Sequence, residues 1–161
     1  MKQLVWMGIS FAVAVVVLLV DASIYHKWAY LFYVLGLLTL VAALLFGREV
    51  NGAKAWFEIG SVRIQPVEFA KIATALALAR VMSSSSFSIN RAGDLFKVGL
   101  VICLPLLIIV MQNDTGSGIV LVSLVFVLYR EGLNKWLCIP VILIAVLFIF
   151  SFLFTPLTLL V

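Results

Sequence analysis

The run WAYLFYVLGLLTLVAALLF, residues 28–46, carries no charged side chain. It is as long as a helix must be to cross a bilayer, since about 20 mostly apolar residues span the hydrocarbon core. The rest of the chain repeats this composition. Of 161 residues, 65% are hydrophobic and 11% are charged, with a mean hydropathy of +1.28. A soluble domain of this size carries roughly 25% charged residues. Too few polar groups remain to cover a water-facing surface. The expected fold class is therefore all-α: a polytopic transmembrane helical bundle of about six membrane helices, forming one domain over residues 1–161.

Working outward from 28–46, five further spans are expected. Residues 4–20 form the first. Lys2 before an apolar run also fits a signal peptide, but the run is long and more spans follow, so a retained helix is the better reading. Asp21 to Lys27 is a polar turn, and Trp28, Tyr30 and Tyr33 form an aromatic belt at one end of the second span. Residues 47–65 are a loop containing Gly47, Gly52, Gly60 and mixed charges. Its Trp56 and Phe57 suit an interfacial position. Pro66 opens a third helix running to about Met82, since proline is tolerated where the first-turn amide lacks an internal partner. Ser83 to Asp94 is a polar loop. The fourth span covers 95–111, with Pro105 inside it. Gln112 to Gly118 is a polar turn. The fifth span covers 119–129 and is short unless it begins near Thr115. After a turn at Arg130–Lys135, residues 136–161 make a sixth, tilted span with Pro140 and Pro156 as interruptions.

The net charge of +4 does not indicate nucleic-acid binding. The bases are scattered between apolar runs, as in loops flanking membrane helices. With the N-terminus outside, the inner side holds Lys27, Arg80, Arg91, Lys97, Arg130 and Lys135, and the outer side holds Lys2, Arg48, Lys54 and Arg63. This orientation puts the 47–65 loop and the 112–118 turn on the outer face. Cys103 and Cys138 lie in or beside apolar runs and read as buried thiols rather than a disulfide or metal site. His26, beside Lys27, reads as an interfacial polar residue.

Charge near a bilayer is costly, so its location is informative. The stretch Asn51–Lys71 gathers Glu58 and Glu68 with Lys54, Arg63 and Lys71. Glu68 and Lys71 are three apart and share a helix face. They form either an anchoring ion pair or the wall of a polar cavity that meets a charged headgroup. Asp114 stands between apolar spans without a nearby base. It either caps the helix that follows or lines a site for a cation or a polar headgroup. NDTGSG has neither the lysine nor the spacing of a phosphate-binding loop. No metal-ligand cluster or Ser-His-Asp set is present.

Two ordered motifs resemble the signatures of the SEDS family, the RodA/FtsW proteins of bacterial shape and division. Asn51-Gly52-Ala53, Trp56 and Gly60, followed by Gln65-Pro66-Val67-Glu68-Phe69-Ala70-Lys71, resemble a G-A-x-R-W loop and a Q-P-S-E-x-x-K helix start. Gln112-Asn113-Asp114-Thr115-Gly116-Ser117 resembles Q-P-D-x-G-T. The likeness is closer to the rod-shape branch than to the division branch and spans nearly the whole chain. Three departures stand out: Ala55 for the loop arginine, Val67 for serine and Asn113 for proline. Loss of the arginine leaves Lys54 as the nearby base for a pyrophosphate.

The resemblance implies a multi-pass protein of the bacterial cytoplasmic (inner) membrane, of roughly ten helices, of which this chain resembles helices two to seven. It implies a peptidoglycan glycosyltransferase that polymerises lipid II beside a class B penicillin-binding protein. The catalytic carboxylate is expected downstream, in an outer loop, and none in this segment. Glu68, Lys71, Asp114, Lys54, Trp56 and Gln65 would then shape the cavity and hold substrate. No cofactor is expected in this chain, although a divalent cation would suit the pyrophosphate. Two other readings remain open: a lipid II transporter or flippase using the same cavity, and a non-catalytic segment that only binds a partner.

Overall fold

The computed structural model describes residues 2–50, 52–59 and 62–136, together with 139, 143 and 146. The sixth expected span, with Cys138, Pro140 and Pro156, falls almost wholly outside them, as do Asn51 and Gly60 of the first motif. The described chain runs α1 (Lys2–Leu19), α2 (Ala22–Phe46), β1 (Arg48–Val50), β2 (Ala53–Ile59), β3 (Val62–Ile64), α3 (Pro66–Met82), α4 (Ala92–Met111), α5 (Thr115–Val122) and α6 (Val125–Arg130). Among these, α2 and α4 are long and apolar enough to cross a membrane. Residues 3–19 and the α5–α6 segment are apolar but shorter. The outward faces are apolar, as Phe11, Leu38 and Leu107 show, which suits lipid rather than water.

Small residues bring α2 and α3 together. The buried positions of α2 are Ala29, Tyr33, Gly36, Leu40 and Ala43, alternating steps of four and three. They meet Ala70, Ala73 and Ala77 of α3. A Cβ built on Gly36 would lie 3.3 Å from the Ala70 Cα. Without a hydrophobic drive between helices in lipid, such close backbone approach is a main source of association.

Three sequence expectations change here. The polar turn expected at Asp21–Lys27 is mostly helix. Asp21 caps α2 by accepting from the Ser23 N–H at 2.7 Å. The His26 carbonyl accepts from the Arg80 guanidinium, which also lies 4.8 Å from the Tyr30 ring centre. Tyr33 does not belong to an aromatic belt. It is buried, and its hydroxyl donates to the Val101 carbonyl at 3.0 Å. That carbonyl sits four residues before Pro105, which has no N–H to give it. Tyr33 thus supplies the bond that proline withholds, and α4 continues through Pro105. Cys103, expected to be buried, is exposed on α4.

The larger correction is at 47–65. This is no irregular loop, so the fold is not purely α-helical. β1, β2 and β3 form an antiparallel meander in that order. Val50 pairs with Ala53 across a two-residue connection, and Ile59 pairs with Val62 across another. Glu58 ties the three strands together, accepting Arg48 at 2.8 Å and Arg63 at 2.9 Å.

The helical segment expected as a fifth span begins at Thr115. Its helix tightens at Ser123–Leu124, where Phe126 and Val127 donate three residues back rather than four.

Candidate functional site at the polar end of the bundle

The meander and the 112–114 turn lie at the same end. The backbone N–H of Lys54 donates to the Gln112 carbonyl at 2.9 Å. The turn itself is tightly defined. Asn113 adopts φ 58°, a left-handed conformation that asparagine tolerates better than most residues. Asn113 N–H donates to Val110 O at 3.0 Å and Asp114 N–H to Ile109 O at 3.2 Å. This pair of bonds is the glycine-type helix stop known as a Schellman motif, built here with asparagine. A proline at 113 could make neither that φ nor the first bond.

Asp114 follows at once as the N-cap of α5. Its Oδ1 accepts from Ser117 N–H at 3.1 Å. Its Oδ2 accepts from the Ser117 hydroxyl at 2.8 Å and from Gln65 Nε2 at 2.8 Å. The helix-cap reading of Asp114 holds. It is a helix cap, and it also reaches across to the first motif. Gln65 is held extended by the proline after it, which frees its amide for Asp114. No cationic side chain of the described residues lies within salt-bridge distance of Asp114.

Glu68 and Lys71 form the expected ion pair, at 2.8 Å. The Lys71 side chain is 19% exposed and that of Glu68 56%. Both line a groove of about 370 Å³ between α3 and the α5–α6 segment, with Ala75, Val120 and Ser123. Asp114 is not among its lining residues. The site therefore has two neighbouring parts, an ion-paired groove wall and an amide-bound carboxylate, joined through Gln65 at the start of α3.

Lys54 and Trp56 both lie on β2. Lys54 is exposed on β2, whereas Ala55, at the family's arginine position, is fully buried. Successive strand residues point to opposite faces. Lys54 is therefore on the opposite face of the strand from Ala55. Trp56 is half-buried on β2, paired with Arg48.

Sequence reasoning missed Gln112, which is 1% exposed. Its Nε2 donates to the Leu40 carbonyl at 2.8 Å, while its Oε1 has no partner. An internal amide at the end of an apolar run was the available signal. Among the described residues no three His, Cys, Asp or Glu side chains gather, and the Asp114 oxygens accept three hydrogen bonds.

A mostly helical membrane protein with an amide-bound carboxylate and an ion-paired groove at one end is the class that this fold and site define. A profile of the cell cycle protein family FtsW/RodA/SpoVE matches residues 1–158. The chain belongs to that family. The peptidoglycan glycosyltransferase MrdB of Escherichia coli K12 is 34% identical over 143 residues, 86% of this chain and 38% of MrdB. The crystal structure of the rod shape determining protein RodA of Thermus thermophilus matches with a TM-score of 0.79 at 31% identity, over 91% of this chain and 49% of that one. A chain of a peptidoglycan synthase complex that coordinates polymerization and crosslinking matches at 0.77 and 30% identity, over 91% and 44%. The chain thus spans under two fifths of MrdB and about half of the RodA chain.

Proposed function

We propose that this chain is part of a peptidoglycan glycosyltransferase that polymerises lipid II for cell-wall elongation and rod shape. The supporting observation is the Gln65–Asp114 hydrogen bond. It joins the two signature motifs, distant in sequence, beside a groove carrying an ion pair. The similarity to MrdB and RodA supports the activity and the rod-shape branch. The segment would contribute six spans to a multi-pass protein of the bacterial inner membrane, N-terminus outside, with the meander and Asp114 on the outer face.

In this reading the reaction joins the 4-hydroxyl of one carrier-linked glycan to the anomeric carbon of another. A general base takes the hydroxyl proton and the carrier pyrophosphate departs. That base is a carboxylate outside this segment. Glu68, Lys71, Gln65 and Asp114 hold and orient the lipid headgroup, where positioning carries much of the rate. Lys54 and Trp56, at the meander, would meet the headgroup from above. A class B penicillin-binding protein is the proposed partner, in keeping with the similarity to a chain of a synthase complex that couples polymerization to crosslinking. Glu68→Ala in the full-length protein should abolish polymer formation from purified lipid II while leaving the protein folded. Wild-type polymerisation by that variant would refute the assignment. Lipid movement without polymer would favour a transporter.

A further inference from the structure

Gln112 is an odd residue to bury. Its side chain lies where α2, the end of α4 and the meander meet. One amide group serves Leu40 O, a carbonyl inside α2, while Oε1 is left bare. A buried acceptor without a partner is a net cost. Methionine would fill the same length without that cost. Leu40 O lies within a continuous helix and does not need a second donor. As a purely structural filler, then, glutamine is a poor choice.

The connections of Gln112 suggest why it is there. Its backbone carbonyl takes the Lys54 N–H, which is the backbone bond between the meander and the helices among the described residues. Its side chain takes hold of α2. Two residues on is the Asp114 carboxylate, set by the tight turn at Asn113. We propose that Gln112 is a positioning residue: through its amide it holds the Asp114 turn in register with α2 and passes displacement of the meander to the carboxylate. It does not touch substrate. This rests on the reading above only for its kinetic consequence, since the mechanical coupling stands on the hydrogen bonds alone.

The test uses the full-length protein in detergent, with Gln112→Met to preserve volume and Gln112→Ala as a second variant. Hydrogen exchange is followed in peptides covering 53–59 and 115–122, with thermal unfolding and lipid II polymerisation alongside. For Gln112→Met the melting temperature should stay at or above wild type, because a buried orphan is gone. Exchange in both peptides should rise together by about tenfold. kcat should fall about tenfold or more, with KM within about twofold, as expected for a misplaced positioning group. Unchanged exchange in both peptides, or a rise in only one, would overturn the coupling. So would an activity loss that merely follows a lowered melting temperature. Should wild-type protein form no polymer, the glycosyltransferase reading fails, and the exchange data still decide the coupling.

Discussion

Removing the Tyr33 hydroxyl is the sharpest test of how the bundle tolerates a proline within α4. In Tyr33→Phe the Val101 carbonyl loses its 3.0 Å donor and stays buried, since Val101 is 8% exposed. Leaving a buried acceptor unpaired costs about 1–3 kcal/mol. Pro105→Ala restores an N–H four residues after that carbonyl, so the helix can then satisfy Val101 by itself. The two changes should therefore be strongly non-additive. Alone, Tyr33→Phe should lose about 1–3 kcal/mol. With Pro105→Ala already in place, the same change should cost under about 0.5 kcal/mol. The measurement is a double-mutant cycle by reversible unfolding in mixed micelles, with the two single variants and the pair. Equal costs of Tyr33→Phe in both backgrounds would refute the reasoning. The tyrosine would then be serving its ring packing and not the proline's missing bond.

Three further outcomes follow from the geometry. Asn113→Pro, which restores the residue of the family pattern, should destabilise the Asp114 turn by about 3 kcal/mol or more, since proline holds φ near −65° and lacks the N–H, whereas Asn113→Gly should be close to neutral; thermal unfolding of both variants checks this. Gly36→Ala should cost about 1–3 kcal/mol by overpacking against the Ala70 backbone, and Gly36→Leu should separate α2 from α3, read out by cross-linking of cysteine pairs placed across that interface. The Ser23 amide, and then its hydroxyl, hold the Asp21 carboxyl below the usual carboxylate range. Because the folded value is the lowered one, the cap contributes fully above the ordinary carboxylate pKa and is lost as pH falls through the depressed value. Amide exchange in the first turn of α2, corrected for intrinsic rates, should therefore speed up only in strong acid, and Asp21→Ala should make it fast at every pH.

Much of this is legible in the residues, where the signals are local. Pro66 marks the start of α3 because its ring suits a first helical turn. Glu68 and Lys71 pair because a three-residue step returns to the same helix face. Asp114 caps α5 because a short carboxylate before Thr-Gly-Ser can reach a first-turn N–H. The meander escapes a reading of 47–65 that weighs only its charges and glycines. Asn51-Gly52 between Val50 and Ala53 is a strong hairpin signal. Ala53, Ala55, Phe57 and Ile59 alternate with Lys54, Trp56 and Glu58, the period of a strand. The same strand period puts Lys54 and Ala55 on opposite faces, a difference that an irregular loop would not impose. The Gln65–Asp114 bond and the Tyr33–Val101 bond are beyond reach for another reason. They join residues far apart in the chain, and no local period encodes which helices become neighbours.

The two halves of the site handle charge in different ways, and that difference bears on what it can do. Glu68 and Lys71 neutralise each other, so the groove wall offers polarity with little net charge. Among the described residues Asp114 accepts from neutral donors: one backbone amide, one hydroxyl and one side-chain amide. Together these three bonds fix the carboxylate in one orientation. A lysine or arginine in place of Gln65 would stabilise it equally well but would cancel its field. The amide fixes the carboxylate without adding a charge beside it. Carboxylate oxygens are acceptors, which match hydroxyl or ammonium groups of a ligand better than a pyrophosphate. Under the proposed function, with Ala55 buried where the family pattern has arginine, phosphate contacts would come from Lys71, Lys54 or bases outside this segment, and Asp114 would face the sugar-peptide side of the headgroup.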